Sequence, residues 1–168
     1  PWPLAGRGGE FAAGNGAAMR VAPLAFCLDP QSVADRRTLR DICRITHHHE
    51  EAYLGALAVV LALQPGASLE SITQELPDSR VRDNVLELRR LPAGSRLGEA
   101  AARVGTSGFV ASSVPLAIFA GTRCLTSDLS TLIEQIVEIG GDCDTIASLA
   151  CQIRGFRLGR TGLPARLL

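Results

Sequence analysis

The sequence predicts an all-α fold, and three observations carry that prediction. Aromatic residues make up 4% of the chain while 46% is hydrophobic, a balance that favours closely packed helices over a β-sandwich, whose strands want aromatic and β-branched side chains. Apolar residues recur at helical spacing along most segments, and no stretch alternates as a half-buried strand would. Pro/Gly clusters cut the chain into helix-length pieces. No internal repeat is present, and 168 residues suit one domain with its own core.

The N-terminal residues 1–13 read as irregular, being rich in glycine and proline without a helical period. A helix over residues 17–26 is expected to be interrupted or kinked near Pro23. Asp29-Pro30 marks a turn, and a helix over 31–45 places Val33, Leu39, Ile42 and Cys43 on one side. Thr46 is a good N-cap for the next helix, with His49-Glu50-Glu51 in its first turn, where acids suit the helix dipole. That helix, to about Leu63, is apolar nearly all round and should be central; Gln64-Pro65-Gly66 ends it. A short helix follows Ser68. A more polar one over 79–91 turns Val81, Val85 and Leu88 inward and leaves Arg80, Arg82, Glu87 and Arg90 in water. Pro92-Ala93-Gly94 is a turn and 105–108 a loop. Pro115 is expected near the start of an apolar helix reaching Ala120. Ser127 or Asp128 caps a helix to Ile139, and a last long helix follows the glycines at 140 and 141. Residues 156–168 read as an irregular tail.

Seventeen basic residues balance seventeen acidic ones, so no global field draws the protein to nucleic acid or an anionic membrane. The longest apolar stretch, residues 54–63, is too short to span a bilayer, and no signal peptide is visible. The five cysteines, Cys27, Cys43, Cys124, Cys143 and Cys151, are odd in number and lack a CxxC pair. They read as mostly buried thiols of a reducing, cytoplasmic setting. The chain begins Pro1-Trp2-Pro3 without Met, as a processed or incomplete chain would.

The residues richest in chemistry are Gly140-Gly141-Asp142-Cys143-Asp144-Thr145, at the mouth of the apolar run Ile146-Ala147-Ser148-Leu149-Ala150. Carboxylate and hydroxyl oxygens are the donors hard cations such as Mg²⁺ prefer, and glycines let backbone approach a ligand closely. Either aspartate could instead simply cap the helix, but a cap requires neither a second acid nor a threonine. The run His47-His48-His49 does not make a metal site, because consecutive helical residues point about 100° apart; a cleft-facing His47 with solvated His48 and His49 fits better. Gly14-Asn15-Gly16 taken alone reads as a tight turn of residues that tolerate positive φ, and Phe109 as a core aromatic. Ser107 and Ser113 lack the Asp–His partners of a serine nucleophile. Arg20 suits a phosphate or a structural ion pair.

Together these pieces resemble the ADP-ribosylglycohydrolase family. Residues 140–147 are similar to its C-terminal signature GGDTDTIA. Gly14-Asn15-Gly16-Ala17-Ala18-Met19-Arg20 with Pro23 resembles its GNGxxMR segment. Thr46-His47 ahead of Ala52 and Gly55-Ala56 resembles its TH helix, and Ser107-Gly108-Phe109-Val110 with Val114-Pro115 resembles its SGY segment. The motifs stand in the family's order.

The resemblance implies a compact, orthogonal helical domain that cleaves the glycosidic bond between ADP-ribose and an attached group, with a pair of Mg²⁺ ions at the base of a cleft. It implies Asp142, Asp144 and Thr145 as metal ligands, the two aspartates being catalytic through the metal. It implies Gly14, Asn15, Gly16, His47, Ser107, Gly108 and Phe109 as the lining of the ADP-ribose cleft. The expected partner is an ADP-ribosylated protein or a small ADP-ribose conjugate. The family's second acidic cluster, of the form (T/S)DD(T), has no counterpart here, the only acid before Gly14 is Glu10, and Cys143 replaces the usual Thr. These departures make the chain a partial domain over 1–168, incomplete at its N-terminus and expected to be inactive alone and to self-associate. They also open an alternative, a non-catalytic ADP-ribose-binding or interaction domain.

Overall fold

A computed structural model describes residues 13–123, 128–160 and 163. Nine α-helices follow one another among these residues: α1 Gly16–Arg20, α2 Val33–Arg44, α3 Glu50–Ala62, α4 Leu69–Glu75, α5 Arg80–Arg89, α6 Leu97–Val104, α7 Val110–Arg123, α8 Leu129–Ile139 and α9 Cys143–Leu158, with a 3₁₀ turn at Ala22–Phe26 after α1. The fold is all-α; among the described residues the one extended pairing is an isolated antiparallel bridge between Gly14 and Phe109.

Two helices form the centre. In α3 every residue from Ala52 to Ala62 is buried, as its unbroken apolar character requires. In α7 only Ser112, Thr122 and Arg123 escape full burial. The helices α3, α5, α6 and α9 pack around α7, and glycines permit the closest approaches. A Cβ at Gly55 would stand 2.2 Å from the Val110 Cγ2, and one at Gly121 would stand 2.9 Å from Ile153 and 3.0 Å from the Ala150 carbonyl. Any larger residue would push α7 away from α3 or α9.

The turn chemistry sets the ends. Ser32, Ser68 and Ser79 cap α2, α4 and α5, each accepting from a backbone amide three residues on, and Asp128 caps α8 through Ser130 and Thr131. The α5 terminus has a second cap from a distance: the Glu51 carboxylate of α3 accepts from the amides of Arg80 (2.8 Å) and Val81 (3.1 Å).

Several expectations are corrected. Of the two outcomes expected for 17–26, the chain takes the interruption: α1 ends before Val21, and Pro23 opens a 3₁₀ turn that follows. Val33 does not join Leu39 and Cys43 in the core; it is 65% exposed, because it occupies the first helical position, before the packed face begins. The cap of α3 is His49, whose ring nitrogen accepts from the Glu51 amide at 3.1 Å, not Thr46, which serves Arg20 and His47 instead. Helix α6 has no announcement in the sequence: its N-cap Arg96 makes no side-chain bond, so no start signal marks it. Pro115 lies inside α7, not near its start. The tail expected over 156–168 begins later, since α9 runs through Gly155 to Leu158. Of the described cysteines only Cys43 is buried; Cys143 and Cys151 are half-buried and Cys27 is exposed. Cys124, Ser127, Glu10 and most of residues 1–13 and 156–168 lie outside the described residues. No described helix is long and apolar enough to cross a membrane.

Candidate active site

The loops before α1, α7 and α9 converge. The Val110 amide donates to the Ala13 carbonyl at 2.9 Å, beside the Gly14–Phe109 bridge, so the start of α7 is fastened to the start of α1. The Asp142 amide donates to the Thr106 carbonyl at 2.8 Å, which ties the start of α9 to the loop before α7. Gly141 makes that join possible: its φ is +79°, and a Cβ would lie 2.3 Å from the Thr106 oxygens, a conformation and a contact that exclude a side chain.

Asn15 is the hub. It holds the N-cap position of α1 yet makes no capping bond. Its side-chain amide donates to Ser113 Oγ at 3.0 Å and to Asp142 Oδ2 at 2.5 Å, and Ser113 in turn donates to the Phe109 carbonyl. Asn15 and Ser113 are buried, so this network is dry on one side and fixes the carboxylate in orientation. Asp142 likewise stands at an N-cap without capping. The pKa of Asp144 is lowered, first by its interaction with the Asp142 side chain and second by the Thr145 backbone amide. Two carboxylates therefore share the opening of α9, where the helix dipole favours negative charge.

The glycines of Gly14-Asn15-Gly16 work differently from the tight-turn reading: neither has positive φ, and Asn15 is right-handed at φ −86°. They are bare because His47 packs there. A Cβ on Gly16 would stand 3.0 Å from His47 Cε1, and one on Gly14 would stand 3.5 Å from Nε2. His47 is anchored by its Nδ1 on Thr46 Oγ1 at 2.7 Å, and burial first, then the Arg20 charge, lowers its pKa. His48 and His49 are half-buried rather than solvated. Arg20 forms no ion pair among the described residues; its guanidinium donates to Thr46 Oγ1 (2.6 Å) and to the carbonyls of Ile42 and Cys43 at the end of α2.

Gly108 lies against Asp142, close enough that a Cβ there would stand 3.3 Å from Oδ2. The Ser107 hydroxyl accepts from the Phe109 amide at 3.4 Å and is exposed. Thr145 is buried, and its hydroxyl points at the Met19 sulfur, 3.6 Å away. Asn15, Gly108, Asp142 and Asp144 thus form one cluster, Gly14, Gly16 and His47 flank it, and Thr145 lies beneath. Sequence reasoning misses Thr106 and the structural part of Ser113. The available signal is a serine pair inside an otherwise apolar helix.

The donor set suits a hard cation in kind, since it is all carboxylate oxygen. Among the described residues no group of three or more His, Cys, Asp or Glu could hold a metal ion, so in number the site offers two charged ligands.

Known proteins are similar to this chain in sequence and in fold. The family model for ADP-ribosylglycohydrolase matches residues 1–168. ADP-ribosylhydrolase ARH3 of Homo sapiens is 31% identical over 195 residues, covering 93% of this chain and 53% of the relative. The ARH3 of Bos taurus is 30% identical over 194 residues with the same coverage. A solved structure described as an ADP-ribosylglycohydrolase-related protein complex superposes with a TM-score of 0.69 at 25% identity, over 98% of this chain and 56% of that one. The chain spans about half the length of the curated relatives it matches. With the ordered motifs, the shared helical fold and a family match over its whole length, the chain belongs to the ADP-ribosylglycohydrolase family.

Proposed function

We propose that the protein is a Mg²⁺-dependent hydrolase of the bond between ADP-ribose and an attached group, and that this chain contributes one wall of its cleft. The observation that carries the reading is the Asn15–Asp142 hydrogen bond, which joins the glycine turn and the acidic signature, 127 residues apart, into one site. Asp142 and Asp144 would hold Mg²⁺, with Thr145 as the third ligand the family pattern gives, and with two carboxylates the ion would keep most of its waters. When bound, the ion would orient the ribose hydroxyls and act as a Lewis acid toward the oxygens on which negative charge develops as the glycosidic bond breaks.

The chain's own residues prepare that chemistry. Asn15 fixes the Asp142 carboxylate by donating from its side-chain amide nitrogen, while its side-chain oxygen makes no cap on α1. Thr46 Oγ1, which accepts from Arg20, also engages His47 Nδ1. That leaves Nε2, beside Gly14 and Gly16, as the ring nitrogen free to meet a phosphate or ribose oxygen. Ser107, Gly108 and Phe109 close the cleft on the α7 side. The unpaired cysteines among the described residues fit the reducing cytoplasm, and the substrate is an ADP-ribosylated protein or a small ADP-ribose conjugate.

Calorimetric titration of ADP-ribose with and without Mg²⁺ tests the reading. Binding should depend on Mg²⁺, and Asp144→Ala should abolish that dependence. No binding in either condition would sink it. The second reading, a non-catalytic ADP-ribose-binding domain, is favoured by the shortage of carboxylates among the described residues; it predicts binding of ADP-ribose with no release of ADP-ribose from any modified target.

A further inference from the structure

Beside the cluster lies a cavity of about 290 Å³ whose walls, apart from Phe109, belong to none of the motifs. Its walls are Arg80, Asp83 and Asn84 of α5, Arg103 and Val104 at the end of α6, and Phe109 and Ser112 at the start of α7. Two of these polar groups are already engaged. Arg103 pairs with Glu87 at 2.6 Å, and the Asn84 amide donates to the Ala111 carbonyl at 2.6 Å. Arg80 is different. Its guanidinium lies over the Phe109 ring, 5.2 Å from the centroid, and makes no ion pair or side-chain hydrogen bond among the described residues, although Asp83 is one turn away on the same helix. A cation held over a ring face is oriented in advance, and its fork of N–H donors remains open to a carboxylate.

Phe109 connects this cavity to the candidate active site. Its backbone pairs with Gly14 and its neighbour Gly108 touches Asp142, while its ring lines the cavity. On the proposed reading, which this inference rests on, the phosphates of ADP-ribose are served by the turn at 14–16 and His47. The cavity therefore adds a cation for something other than ADP-ribose, one residue from the aspartates beside which the scissile bond would lie. We propose that the cavity is the acceptor pocket: it receives the polypeptide that carries the ADP-ribose, with Arg80 binding the carboxylate of an acidic residue adjacent to the modified one. Asp83 and the Ser112 hydroxyl take backbone amides of the same segment. The substrate class that follows is an ADP-ribosylated protein modified within an acidic sequence.

The test is binding of three probes to the protein in Mg²⁺: ADP-ribose itself, and two peptides bearing ADP-ribose through an uncleavable linkage, one with Glu and one with Gln beside the modified residue. The Glu peptide should bind about fivefold more tightly, as one charge-assisted pair at a half-open site allows. Arg80→Met should bring that ratio to near one, and Arg80→Glu should transfer the preference to a Lys-flanked peptide, a gain that misfolding cannot imitate. Equal affinity of both peptides for the wild type, or a preference that survives Arg80→Met, overturns the proposal. So does a loss of ADP-ribose affinity in Arg80→Met as large as the loss for the Glu peptide, because Arg80 would then serve the phosphates. Failure of ADP-ribose to bind the wild type marks instead the failure of the underlying reading, and the pocket falls with it.

Discussion

Asn15 gives up the hydrogen bond its position in the chain offers, and a local rule broken in favour of a long-range contact is characteristic of a functional site. A side-chain oxygen at an N-cap is ordinarily spent on its own helix. Here the amide nitrogen is spent on Asp142 and Ser113, so the residue stabilises the site rather than α1. His47 shows a second residue set by its surroundings. Burial and the Arg20 charge hold its native pKa below the ordinary 6.5, so in mildly acid solution the unfolded chain binds a proton that the native protein refuses. The stability this contributes is fully present above pH 6.5 and is lost as the pH falls through the lowered native value. Denaturant unfolding at about pH 7.5 and about pH 5.5, on either side of that ordinary value, should therefore show His47→Gln losing less stability on acidification than the wild type. Equal losses would mean that His47 is as easily protonated in the fold as out of it.

At the scale of elements, α7 explains both what could be read in advance and what could not. A proline removes the amide that would bond the carbonyl four residues back, and for Pro115 that carbonyl is Ala111. The Asn84 side chain of α5 supplies the missing donor at 2.6 Å, so the proline is accommodated by a neighbour and the helix continues to Arg123. Asn84→Ala should leave a buried carbonyl unpaired and cost about 1–3 kcal/mol. In a Pro115→Ala background, where the helix regains its own donor, the same change should cost clearly less, and a double-mutant cycle by thermal unfolding reads the coupling. Additive losses would refute the compensation. The sequence places Pro115 near a helix start because the partner that rescues an interior proline is thirty-one residues away and invisible to local rules. The same holds for α6, which has no cap to announce it, and for His49, a residue type that capping preferences do not favour. By contrast α3, whose apolar character is continuous, and α5, whose Val81, Val85 and Leu88 recur at helical spacing, are legible because their burial pattern is written in consecutive residues. The candidate site is legible for a related reason. Its glycines and acids fall in two short runs, at 14–16 and 140–145, whereas Ser113 and Thr106 join it only through tertiary contacts.

For the molecule as a whole, the surface left after the helices have packed is uneven. On the side where α1 and the 3₁₀ turn meet α9, a largely apolar groove of about 560 Å³ is lined by Met19, Ala22, Pro23, Phe26, Leu63 and Phe156, with Arg20 and Gln152 as its polar members. Phe26 is 74% exposed and meets Phe156 edge to face, with centroids 5.9 Å apart. An aromatic this open, in a continuous apolar groove, gains most of its burial only on contact with another surface. Nothing at long range opposes such a contact, because the chain's charges sum to zero and no net repulsion keeps copies apart. Sedimentation velocity over a rising concentration series should therefore show self-association of the 168-residue chain. The double substitution Phe26→Glu and Phe156→Glu should shift the distribution toward monomer, since it places two carboxylates where a partner's apolar atoms would lie. A matched pair of changes at the exposed Val33 and Ile45 of the α2 region, which do not line the groove, separates a specific groove contact from general hydrophobic stickiness. If both pairs reduce association equally, the exposed apolar surface acts diffusely. If neither does, and the wild type sediments as one monomeric species at every concentration, the groove is stable in water as it stands.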